Sequence, residues 1–100
     1  MHIEIAVLGV EDALAAQQGG AHGVELLDNP GEGGLTPSAG KIAAVRACLD
    51  IEFNVIIRPR PRDFLYTDHE LDIMKRDVII AKDLGVDGVV LGLQHRDGTI

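Results

Sequence analysis

Over residues 2–7 the apolar side chains Ile3, Ile5 and Val7 alternate with His2, Glu4 and Ala6, which is the period of a strand with one apolar face. The period then lengthens. The alanine-rich stretch 11–18 predicts a helix, and Gly19-Gly20 closes it because glycine accepts the left-handed C-cap. A second strand is predicted over 23–27 and a polar loop over 28–35. Thr36-Pro37 then predicts a helix over 37–49, with threonine as cap and proline at the first helical position. A third strand is predicted over 53–57. Thr67 and Glu70 have the spacing of a capping box, opening a third helix to about residue 84 with Leu71, Met74, Val78 and Ala81 on one side. Gly85 stops it before a fourth strand over 88–93, and 94–100 follow as a trailing loop.

Four strands joined by three helices, at a period of about 25 to 30 residues, are half of a (β/α)8 barrel or a small open parallel sheet. Strand parity separates the two. Glu4, Glu25, Asn54 and Arg58 repeatedly place a charge or an amide on one face, whereas a sheet covered by helices on both sides is apolar on both. The reading is a parallel α/β half-barrel in which these four residues converge in the lumen. A buried structural pair of Glu25 with Arg58 is the alternative.

The third strand runs into Arg58-Pro59-Arg60-Pro61-Arg62-Asp63-Phe64. Proline fixes φ and lacks an N–H, so the strand stops there. The loop is expected to fan its guanidinium groups at the carboxyl end of a strand, where parallel α/β folds bind ligands. Gly33 and Gly34, ahead of the second helix, could cradle a phosphate or carboxylate through free backbone N–H groups; otherwise they belong to a plain loop needing positive φ. Joined with Arg58 and Arg60 they point to a small anion. In that site Asp63 would orient the arginine, and Glu4 or Glu25 would serve as acid/base or hard-ligand oxygens.

One hundred residues, 46% of them hydrophobic, make one domain over 1–100 with a modest core. A formal charge of −7 and a pI near 4.8 argue against nucleic acid or an anionic membrane as main partner. Cys48 is the single cysteine, so no internal disulfide can form, and a reducing, cytoplasmic compartment is expected. The amino terminus lacks a basic n-region and a long apolar run, and no stretch approaches the roughly 18 apolar residues of a membrane span. Cys48 and Met74 are expected in the core. His2, His22, His69 and His95 show no paired ligand spacing on one helix, so no metal site is assigned to them.

The motifs Glu4-Ile5, Val24-Glu25-Leu26, Glu32-Gly33-Gly34-Leu35-Thr36-Pro37-Ser38, Ile57-Arg58-Pro59-Arg60, Asp63-Phe64 and Gly85-Val86-Asp87-Gly88 together resemble the amino-terminal half of CutC-type copper homeostasis proteins. The resemblance covers nearly the whole chain. It implies a (β/α)8 barrel of about 250 residues and a cytoplasmic role in metal handling or copper tolerance. Relatives usually carry a cysteine after Glu-Ile in the first strand and another after Glu-Leu in the second; here those positions are Ala6 and Leu27. Copper(I) prefers thiolate, so as a cofactor it finds weak support. Pro61-Arg62 also stands where relatives tend to have two glycines. Two other functions stay open: a barrel enzyme fragment acting on a small anionic substrate, and a structural half-barrel. In the last, unpaired edges on the first and fourth strands would call for a second copy or a missing carboxyl-terminal half.

Overall fold

The computed structural model describes residues 1–93. Four strands alternate with three helices: β1 (Glu4–Val7), α1 (Val10–Gln18), β2 (Gly23–Leu26), α2 (Ala39–Cys48), β3 (Glu52–Ile56), α3 (Asp68–Asp83) and β4 (Gly88–Val90), with a 3₁₀ turn at Pro30–Glu32 between β2 and α2. All three strand pairings are parallel, and the order across the sheet is β1-β2-β3-β4. A doubly wound sheet reverses its order at a switch point. An unbroken consecutive order is instead the wall of a barrel, and these residues make half of a TIM-type (β/α)8 barrel.

The period-two pattern explains which face is covered. Val7, Val24, Leu26, Phe53, Val55 and Ile57 point to the helices and are buried with Ala13, Ile42, Val45 and Met74. The opposite face holds Glu4 and Ala6 of β1, Glu25 of β2, and Glu52 and Asn54 of β3, paired through the register Ala6↔Glu25↔Asn54 and Glu4↔Gly23↔Glu52. Among the described residues no helix lies across that face. Ile3 and Ile5, beside the outer edge of β1, remain 42% and 41% exposed, which is how an apolar wall looks without its neighbouring strand. No helix among the described residues is long and apolar enough to cross a membrane.

Local chemistry sets the element ends, and some differ from the sequence expectation. Thr67 caps α3 with the expected capping box, its hydroxyl accepting from Glu70 N while the Glu70 carboxylate accepts from Thr67 N. The start of α2 is corrected from Pro37 to Ala39, with Ser38 as cap: its Oγ accepts from Lys41 N at 3.1 Å. Thr36 is engaged elsewhere, accepting from Arg58 N at 2.7 Å while its own N–H donates to Arg58 O at 3.0 Å. β1 begins at Glu4 rather than at residue 2, because Ile3 N donates to the His22 ring instead of to a ladder. β4 is shorter than expected, ending at Val90, and the expected trailing loop and His95 lie outside the described residues.

Candidate functional site

The carboxyl end of β3 is built around one guanidinium. Arg58 is 9% exposed and turns inward rather than fanning out. Its Nη1 donates to Glu32 O at 2.6 Å and more weakly to Gly34 O at 3.5 Å, and its Nη2 donates to Arg62 O at 2.7 Å. The Phe64 ring lies 4.9 Å from the guanidinium carbon, a cation–π distance. Nε is buried without a hydrogen-bond partner among the described residues. Among the described residues no carboxylate lies within 4.0 Å of Arg58, so the alternative of a Glu25–Arg58 pair is not what forms. The cation is held by carbonyl oxygens, which orient it without cancelling its charge. Beside it opens a cavity of about 300 Å³ whose lining includes Ile56, Arg58, Phe64, Val90 and Gly92.

The neighbouring arginines have other duties. Arg60 Nε donates to Glu70 at 2.6 Å, and its Nη groups reach the Pro61, Asp63 and Leu65 carbonyls and the Asp63 carboxylate. Tyr66 stacks on it at 4.8 Å. The Arg60 hydrogen bond holds the Glu70 carboxyl below its ordinary range, helped by the Thr67 amide, and Glu70 in turn raises Arg60. Asp63 therefore orients Arg60, not Arg58 as expected, because its Oδ1 also accepts from Leu65 N and is tied into the turn. Arg62 is exposed and sits at φ +86°, a left-handed conformation that favours glycine. A glycine at position 62 would adopt this conformation without strain.

Gly33 and Gly34 do not offer the free amides expected of an anion cradle. Gly33 N donates to Pro30 O and Gly34 N to Asn29 O, both within the loop. Gly33 instead admits Arg58: a Cβ on it, at φ +84°, would lie 2.8 Å from Arg58 Nη1, while Gly34, at φ +97°, faces Leu27. The loop is closed by the antiparallel bridge of Asp28 with Leu35 and held to α2 by Lys41 Nζ, which donates to Asp28 at 2.6 Å.

The four residues expected to converge share a face but not a level. Glu4 is level with Glu52, and Glu25 with Asn54. Arg58 is six residues beyond Glu52, or about 20 Å at ~3.3 Å per residue. Glu4 cannot reach a small molecule seated on Arg58, whereas Glu25, level with Asn54, is four residues short of it, or about 13 Å at ~3.3 Å per residue. At the other end of the strands the structure brings together a group that helix-type spacing did not show. Asn54 Nδ2 donates to Glu4 and to Glu52, each at 3.0 Å, and His2 Nε2 lies 3.7 Å from Glu4. Period two alone puts His2 and Glu4 on one face; lining up strand starts would have added Glu52.

These features define half of a (β/α)8 barrel with a buried cation at its carboxyl-terminal mouth that no carboxylate among the described residues neutralises. The chain belongs to the CutC family, whose model matches residues 1–100. It is 51% identical over 98 residues to the family protein CutC of Chromobacterium violaceum, covering 98% of this chain and 40% of that one. It is 45% identical over 98 residues to the human copper homeostasis protein cutC homolog, covering 98% and 36%. A crystal structure of a copper homeostasis protein CutC from Streptococcus agalactiae matches with a TM-score of 0.89 at 35% identity, over 97% of this chain and 48% of that one. The chain thus spans about two fifths of the length of the curated relatives it matches.

The donor set does not fit copper(I) at the first two strand ends. Position 6 is an exposed alanine, and Leu27 packs against Gly34. Cys48, half-buried on α2, donates its thiol to Val45 O at 3.2 Å and joins the edge of the core. Met74 is 4% exposed within that core. No soft-ligand cluster forms among the described residues.

Proposed function

We propose that this chain serves copper homeostasis in the cytoplasm as one half of a barrel that holds a small anion at its carboxyl-terminal mouth, and not through a thiolate copper(I) site. The observation that carries this reading is Arg58, buried beside a cavity with only carbonyl hydrogen-bond acceptors among the described residues. A charge in a low-dielectric setting attracts an anion far more strongly than one in water. The apolar part of the lining, Ile56, Phe64 and Val90, suits a carboxylate or phosphate ester with a small apolar body. Acid/base catalysis by Glu4 on such a ligand is disfavoured by the distance along the strands, which leaves Glu25 as the nearer of the two carboxylates.

The test is an NMR titration of the ¹⁵N-labelled protein with inorganic phosphate and with butyrate, against chloride at equal ionic strength. Saturable shifts at Gly33, Phe64 and Gly92 with either anion support the proposal. Shifts identical to those from chloride, or confined to exposed Arg62 and Arg76, defeat it.

A second reading concerns partners. β1 and β4 present unpaired edges among the described residues, and Val90, Leu91 and Leu93 are 41 to 46% exposed, so the half-barrel is suited to close against a second copy or against a carboxyl-terminal half. Light scattering over a range of concentrations distinguishes a closed dimer from a monomer awaiting the rest of the barrel.

A further inference from the structure

At the amino-terminal end of the strands, away from Arg58, we propose that His2, Glu4 and Glu52 form a binding site for a divalent first-row cation of the zinc type. One ligand atom from each lies within 4.8 Å of the others. Glu4 and Glu52 come from two strands that are not neighbours, His2 from the segment just ahead of β1, and the residue that lets the two glutamates approach is Gly23. This glycine lies between Glu4 and Glu52 in the register, and a Cβ there would stand 3.2 Å from Glu52 Cβ and 3.4 Å from Glu4 Cγ. Its missing side chain is the gap over which both glutamates lean. A Cβ there would also stand 3.2 Å from Glu52 O, so a side chain would press on both neighbours.

The surrounding groups fix the donors. Asn54 donates one amide nitrogen to both carboxylates. Its Oδ1 faces Gly88, where an added Cβ would be 2.7 Å away, so the amide is oriented with its nitrogen toward the glutamates. His2 stacks on His22 with ring centroids 5.1 Å apart and an interplanar angle of 20°, and His22 is itself held by the Ile3 amide at 2.8 Å. Such outer partners are what set ligand orientation in metal sites.

Charge argues in the same direction. Among the described residues no lysine or arginine lies within 4.0 Å of Glu4 or Glu52, and His2 Nε2 stands 3.7 Å from Glu4. The face is open in these four strands, but in an eight-stranded barrel it becomes interior, where two carboxylates require a proton or a cation. Nitrogen and oxygen donors select zinc-like divalent ions over copper(I). Closing the donors by about 1 to 1.5 Å brings all three to the ~2.1 Å that zinc requires. Exposed glutamate and histidine side chains allow that by rotamer change.

The experiment is calorimetric titration of the chain with Zn(II) in phosphate-free buffer, in a Cys48→Ser background that removes the thiol. The expected result is one Zn(II) per chain. Affinity should fall by at least about tenfold in Glu52→Gln, since loss of a mere supporting partner already costs that much, and should vanish in Glu4→Gln/Glu52→Gln. His2→Ala, at an exposed terminus, gives an independent variant and should weaken binding similarly. No binding at millimolar Zn(II), or binding unchanged in the double variant, overturns the proposal. Phosphate is absent throughout, so neither result bears on Arg58.

Discussion

Replacing Gly33 by alanine separates two costs that the structure superimposes at one residue. The first is conformational: an L residue at φ +84° costs about 1 to 2 kcal/mol. The second is steric, because the new Cβ would stand 2.8 Å from Arg58 Nη1 and must displace the guanidinium from Glu32 O. A hydrogen bond to a charged group contributes about 1.5 to 3 kcal/mol, so Gly33→Ala should cost about 2.5 to 5 kcal/mol in all. Gly20 supplies the control: it sits at φ +93° with nothing within 4 Å of its would-be Cβ, so Gly20→Ala should show the conformational cost alone. Urea unfolding of both variants, followed by far-UV circular dichroism, measures the difference. An Arg58→Met background removes the obstacle and should bring the Gly33→Ala cost down to the Gly20→Ala value, a coupling of about 1.5 to 3 kcal/mol. Equal costs at positions 20 and 33 in the parent chain would refute the claim that Gly33 exists to seat Arg58.

Four further outcomes are expected. Arg62→Gly relieves the φ +86° strain and should stabilise the fold by about 1 kcal/mol; a lower midpoint in thermal unfolding would show that the arginine side chain contributes more than its backbone costs. Thr67→Ala removes the α3 cap and should cost about 1 kcal/mol, while Glu70→Gln should narrow its stability gap from the parent in acid. The sign follows from Glu70's depressed carboxyl, whose contribution is present above the ordinary 4.5 and lost as pH falls through the folded value. Asp77 is the reverse case, raised by burial, so its folded form is favoured below the ordinary 3.8 and weakened as pH rises through the raised value. Asp77→Asn should therefore stabilise the protein at neutral pH and lose that advantage in acid, as pH-dependent unfolding curves would show.

Element order and the covered face were legible because both are written in local periods. Val24 and Leu26, or Phe53 and Val55, announce their side of the sheet two residues at a time, and the structure buries all four. Thr67 and Glu70 announced a cap because both halves of that motif lie within one turn. Thr36 misled for a reason three-dimensional in origin: its hydroxyl was claimed by the Arg58 amide, 22 residues away, leaving Ser38 to cap. The arginines misled in the same way. A loop of three cations and two prolines looks solvent-facing, yet Arg58 and Arg60 find carbonyls and Glu70 at hand, and nothing in their spacing announces a backbone acceptor.

Level along the barrel axis was the quantity that the period could not supply. Parity assigns a residue to a face, whereas its height depends on where its strand starts relative to its neighbours, and that is fixed by pairing between segments some twenty to thirty residues apart. Once Glu4, Gly23 and Glu52 are set level, the lumen face divides into two chemistries. Carboxylates and an imidazole occupy one end, and a buried guanidinium occupies the other, about 20 Å away at ~3.3 Å per residue. At that separation their interaction is weak, because the carboxylate end is exposed to salt water, whose Debye length is about 8 Å. Cation binding at His2 and anion binding at Arg58 should therefore be independent, and adding phosphate should leave the Zn(II) affinity unchanged once phosphate's own chelation of zinc is subtracted. A shift beyond that correction would mean that the two ends share a conformational change rather than a field.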